Sequence, residues 1–140
     1  GEWLFGCDIC QEVCPWNRKP AQRATHPETA LDTLDLSQLF DLSDEQFRQR
    51  FRKTPLWRTR RKGVLRNAAI VLGNQQQMSG LPALIRGLKD KEGLVRGASA
   101  WALGKIGGDQ ANAALESSRD TERDPQVLGE IELALSMLNQ

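Results

Sequence analysis

The chain has 140 residues, 26% of them charged, and a formal net charge of +1. No apolar run approaches the roughly 18 residues that a membrane-spanning helix requires, so the composition reads as that of a soluble intracellular protein. The small net charge hides an asymmetry: residues 1–45 hold nine acids and three bases, residues 46–66 nine bases and no acid, and residues 67–140 seven bases and nine acids.

The first informative stretch is Gly6-Cys7-Asp8-Ile9-Cys10-Gln11-Glu12-Val13-Cys14-Pro15-Trp16-Asn17, which contains all three cysteines of the chain. Cys-x2-Cys-x3-Cys-Pro is the back half of the bacterial ferredoxin pattern, in which the last cysteine ligates a different cluster from the ones before it. On that pattern Cys7 and Cys10 serve one cluster and Cys14 another. Zinc is the competing reading, because Cys-x2-Cys is also half a zinc knuckle. No second such pair follows, however, and the lone His26 stands beside Pro27 in a polar loop. The proline directly after Cys14 favours iron–sulfur, and the close Cys-x2-Cys spacing argues against a disulfide scaffold. Two cubanes need more thiolates than three cysteines supply. A chain that opens at Gly1, already inside the motif, reads as the C-terminal piece of a longer protein.

Residues 1–20 are therefore taken as the tail of a ferredoxin-like module, and residues 21–42, aperiodic and proline-containing at their start, as a connector. Asp35 to Phe40 suggests a short helix. Ser43-Asp44-Glu45-Gln46 is a capping box followed by Phe47 and Phe51 at i and i+4, and the helix should stop near Thr54, ahead of Pro55. Val64 to Gly73 echoes Leu94 to Gly104 with a spacing of about 30 residues, and Val127 to Leu135 is a fainter third copy. Shorter helical stretches, Leu81 to Leu88 and Gln110 to Leu115, fall between them. Residues 43–140 thus predict an all-α, HEAT-like solenoid of about five to seven helices, with the last one, carrying Glu130 and Glu132 outward, as a cap. Gly73 and Gly104 are expected at helix ends that need positive φ. Arg96 reads as a repeat arginine that bonds a neighbouring helix or a loop carbonyl.

The bases Arg48, Arg50, Arg52, Lys53, Arg58, Arg60, Arg61, Lys62 and Arg66 lie in one segment without interspersed acid. Like charges so placed repel unless a polyanion neutralises them, which favours nucleic-acid contact. Arg58, Arg60, Arg61, Lys62, Arg66 and Asn67 surround the start of the first repeat helix and are the expected contacts. Trp57, inside the run, is assigned to core packing.

The cysteine block, with Phe47-Arg48-Gln49-Arg50-Phe51-Arg52-Lys53-Thr54-Pro55-Leu56 and Arg66-Asn67-Ala68-Ala69-Ile70-Val71-Leu72-Gly73-Asn74, resembles the C-terminal part of the epoxyqueuosine reductases, in order from about Gly1 to Gly108. The resemblance implies a cytoplasmic, monomeric oxidoreductase of queuosine biosynthesis. Its parent protein would carry cobalamin and two 4Fe–4S clusters that pass electrons to the cobalamin, and would remove the epoxide oxygen of a modified wobble nucleoside in the anticodon region of tRNA. It implies Cys7, Cys10 and Cys14 as cluster ligands, Asp8 and Ile9 near the corrin ring, and a flavodoxin or ferredoxin system as electron donor. It places no catalytic residue in this chain, which alone would be inactive. The alternative is a HEAT-like protein-interaction module attached to another iron–sulfur electron carrier.

Overall fold

A computed structural model describes Leu4, Val13, Pro15 and residues 35–138. Among the described residues there is no strand, and six α-helices follow a short 3-10 helix: α1 Asp44–Phe51, α2 Arg60–Gln75, α3 Leu81–Gly87, α4 Gly93–Ile106, α5 Asp109–Thr121 and α6 Pro125–Leu138. No helix among them is long and apolar enough to cross a membrane.

Local chemistry sets the entry to the array. Asp35 caps the 3-10 helix Leu36–Asp41 by accepting from the Ser37 amide at 2.9 Å. The expected capping box at α1 forms in both directions: the Ser43 amide donates to Gln46 Oε1 at 2.9 Å and the Gln46 amide to Ser43 Oγ at 3.2 Å. Asp44 and Glu45 occupy the first turn of α1 and Arg48 and Arg50 the last, each sign at the end where the helix dipole favours it. The helix stops at Phe51, and Thr54, extended before Pro55, starts a 3-10 turn over Pro55–Thr59.

The three sequence echoes become α2, α4 and α6, which pack side by side through the most extensive helix contacts in the molecule. A second layer, made of the 3-10 helix Leu36–Asp41, α3 and α5, covers them. Between the layers runs one apolar core, with Leu39, Phe47, Leu65, Leu84, Val95, Leu103, Leu115 and Ile131 buried. Glu130 and Glu132 on α6 are exposed.

Gly73 and Gly104 depart from expectation. Both lie inside their helices, and neither has positive φ. A Cβ on Gly73 would stand 2.9 Å from the Ala102 Cα, and one on Gly104 would stand 2.9 Å from the Ala134 Cα. Their function is close helix approach, repeated from one junction to the next. The left-handed helix ends fall instead at Gln76, with φ 51°, and at Gly107, with φ 77°.

Two arginines tie the repeats together along one edge. Arg61 donates from Nε to the Leu42 carbonyl at 2.8 Å and from Nη2 to Asp90 Oδ2 at 2.7 Å. Arg96 grips Glu122 at 2.6 and 3.1 Å and donates from Nη1 to the carbonyls of Asp90 and Lys91 at 2.9 and 3.1 Å. Arg96 is thus the structural arginine its repeat position predicts. Asp90 serves both junctions, its carboxylate taking Arg61 and its carbonyl taking Arg96.

Candidate nucleic-acid interface

The basic segment folds as the last turn of α1, the 3-10 turn at Pro55 and the first half of α2. Two side-chain caps tighten the turn between them: Thr54 Oγ1 donates to the Phe51 carbonyl and Thr59 Oγ1 to the Leu56 carbonyl, each at 2.9 Å. This bend separates the cations of α1 from those of α2 by a single turn of chain. Arg48, Arg50, Arg52, Lys53, Arg58, Arg60, Lys62 and Arg66 are all exposed, and among the described residues none of them is ion-paired.

Arg61 differs from its neighbours. Its side chain is only 14% exposed, held by Asp90 and by a longer contact to Asp44 at 3.7 Å. Asp44 also pairs with Lys91, whose hydrogen bond, with the charges of Lys91 and Arg61, holds the Asp44 carboxyl below the ordinary aspartate range despite some desolvation. Acids from elsewhere in the chain therefore neutralise one member of the basic run, which the local sequence had left uncompensated. The helix phase carried the signal: Arg61 precedes Leu65 by one turn and so shares the buried stripe of Leu65, Ala68 and Leu72.

Asn67 also has an internal task. Its Nδ2 donates to the Leu4 carbonyl at 2.9 Å, and its Oδ1 accepts from Arg66 Nη1 at 3.2 Å. Leu4 packs against the repeat core, three residues before Cys7. The residue expected to lie against nucleic acid thus anchors the chain leading to the cysteines. Cys7, Asp8, Ile9, Cys10 and Cys14 lie outside the described residues, and among the described residues no cluster of His, Cys, Asp or Glu could hold a metal ion.

Trp57 is half-buried and packs on the core, as assigned. Its ring stacks on Phe47, with centroids 6.4 Å apart and planes inclined by 28°, and the Arg60 guanidinium lies 4.2 Å from its centroid. The sequence run did not single out this stack.

The arrangement can bind a polyanion: clustered cations on a helical base attract phosphate. Residues 55–136 match the HEAT repeats family. The whole chain is 37% identical to an epoxyqueuosine reductase of Bacillus cereus, over 38% of that protein's length, and 76% of it is 42% identical to one of Pseudomonas aeruginosa, over 31% of that protein. Among solved structures, a selenomethionine-labelled epoxyqueuosine reductase superposes with a TM-score of 0.83 at 32% identity, covering 99% of this chain and 38% of the other. An epoxyqueuosine reductase with an epoxyqueuosine-modified tRNA-Tyr stem loop gives 0.83 at 32% identity, covering 98% of this chain and 38% of the other. The chain spans about a third of the length of these epoxyqueuosine reductases, and it belongs to the HEAT-repeat family.

Proposed function

We propose that this chain is the tRNA-binding repeat portion of an epoxyqueuosine reductase, a cytoplasmic oxidoreductase whose complete protein converts epoxyqueuosine to queuosine at the tRNA wobble position. The observation that carries this reading is the similarity of the whole chain to such reductases, one of them solved with a tRNA stem loop. The eight exposed, unpaired cations are what a phosphate-rich partner requires. Arg58, Arg60, Lys62 and Arg66 are the proposed RNA contacts, while Arg61 and Asn67 shape the surface from within.

The thiolates of Cys7, Cys10 and Cys14 suit 4Fe–4S ligation in type and spacing. They are too few for two cubanes, so the remaining ligands are proposed to come from other parts of the complete protein. When bound, the clusters and cobalamin supply the reducing chemistry, with Asp8 and Ile9 proposed beside the corrin and a flavodoxin or ferredoxin as electron donor. The repeats contribute binding and orientation, and this chain alone is proposed to be inactive.

Replacing Arg58, Lys62 and Arg66 together by alanine in the complete protein tests the interface. Affinity for every tRNA sequence should fall, and the dependence of log affinity on log salt should flatten by about one unit per lost phosphate contact. The visible absorption of the clusters should be unchanged. Unaltered affinity and slope would favour a protein-interaction role for the repeats.

A further inference from the structure

The stack of Phe47, Trp57 and Arg60 points to a use more specific than phosphate attraction. Arg60 is the first residue of α2 and carries φ 58°, a left-handed conformation that residues with a Cβ adopt uncommonly. Backbone outliers of this kind persist where the surroundings enforce them and concentrate at binding sites. Here the outlier sits in the residue whose guanidinium folds back over the Trp57 ring.

Trp57 in turn packs against Phe47, itself 1% exposed and buried in the core. The guanidinium therefore rests over an aromatic pair rooted in the interior, and Arg60 itself is exposed. Next to the column lies a cleft of about 250 Å³, lined also by Arg61, Lys62, Asp44 and Glu92. Asp44 is already engaged by Lys91 and Arg61; among the described residues Lys62 is the cation of this lining besides Arg60 without an ion pair, and Glu92 is an acid without one.

A planar cation held in this way presents a π-like face, and unstacked RNA bases pile on aromatic rings and on guanidinium planes alike. We propose that Arg60, backed by Trp57 and Phe47, is a stacking platform for an unpaired RNA base, with Lys62 holding the adjoining phosphate. This rests on the tRNA-binding reading and adds that one base is engaged by its face, whatever its identity. An arginine acting only as a phosphate contact would have no need of a fixed orientation.

Arg60→Lys discriminates the two roles, because lysine keeps the charge and loses the plane. The complete protein is titrated with an anticodon stem-loop RNA across a salt series, and again with RNAs in which one loop nucleotide at a time is abasic. Thermal melts confirm that each variant is folded. R60K is expected to lose about tenfold in affinity while keeping the wild-type salt slope, since stacking contributes roughly that factor per base and releases no counterion. One abasic position should weaken wild type by a similar factor and leave R60K unaffected. Full affinity in R60K, or no abasic position that distinguishes the two proteins, overturns the platform while leaving the tRNA reading intact. Absence of any salt-dependent RNA binding by the wild-type protein overturns both.

Discussion

Three consecutive basic side chains, Arg60, Arg61 and Lys62, have three different fates, decided by backbone geometry rather than by chemistry. Arg60 is turned onto Trp57 by its left-handed φ, Arg61 enters the edge between repeats, and Lys62 stays in solvent. Substitution should separate the last two. Arg61→Ala leaves the Asp90 carboxylate, only 8% exposed, without its cation. Loss of one partner from such a pair should lower stability by about 2–4 kcal/mol in a urea melt. Lys62→Ala, on the open surface, should stay within about 0.5 kcal/mol of wild type. A melt showing equal effects would mean that the Arg61 contacts contribute nothing.

Glycine shows the same dependence on context at the level of the helix. Gly104 is placed so that an added methyl would meet the Ala134 backbone, whereas a methyl on Gly129, also inside a helix, would meet nothing within 4 Å. Gly129→Ala should therefore stabilise by about 0.5–1 kcal/mol through helix propensity alone. Gly104→Ala should destabilise by about 1–2 kcal/mol, because forcing α4 and α6 apart outweighs the same propensity gain. Opposite signs in parallel thermal melts are the expected result. These two positions also show what the sequence could disclose. The capping box of Ser43 and Gln46 was legible because all of its atoms lie within four residues, and the three repeat helices because their period recurs. The task of Gly73 and Gly104 was not, since a glycine near the end of a helical pattern has the same local signature whether it caps that helix or admits a neighbour about 30 residues further on. Likewise the charge run marked a surface, but its division into Arg61 within and Arg58, Lys62 and Arg66 without depended on Asp90, distant in the chain. Gln76 in the left-handed conformation had no signal at all, as glutamine is not the residue that position ordinarily selects.

For the molecule as a whole, charge is distributed by purpose. Among the described residues, the cations near α1 and α2 other than Arg61 are without an ion pair, while Arg86, Lys91, Arg96 and Arg119 further along have carboxylate partners. The strongest of the internal pairs predicts an acid limit. Glu122 is held down to about 2 by its hydrogen bond to Arg96, helped by the amides of Asp124 and Arg123 and opposed by burial, while Arg96 is raised from its ordinary value. A carboxylate depressed in the folded state binds its proton more readily once unfolded. Its stabilisation is therefore complete above the unfolded value near 4.5 and is lost as pH falls from there toward 2. This amounts to on the order of 2–3 kcal/mol at neutral pH. Glu122→Gln should lower stability at pH 7 and make the urea midpoint less sensitive to pH between 5 and 3 than that of the wild type.

Stacked repeats are free in principle to fray from either end, because each unit touches only its neighbours. Asp90 works against that freedom. Its carboxylate closes the junction before α4, and its carbonyl accepts from Arg96, whose grip on Glu122 closes the one after, so movement of this single turn disturbs two seams together. Loss of the first repeat would release Arg61 and free the turn that Arg96 needs, and loss of the last would do the reverse. The expected consequence is all-or-none melting, seen as coincident urea transitions of fluorescence and helical circular dichroism. The exposed cations of α1 and α2 then keep their spacing until the whole array gives way.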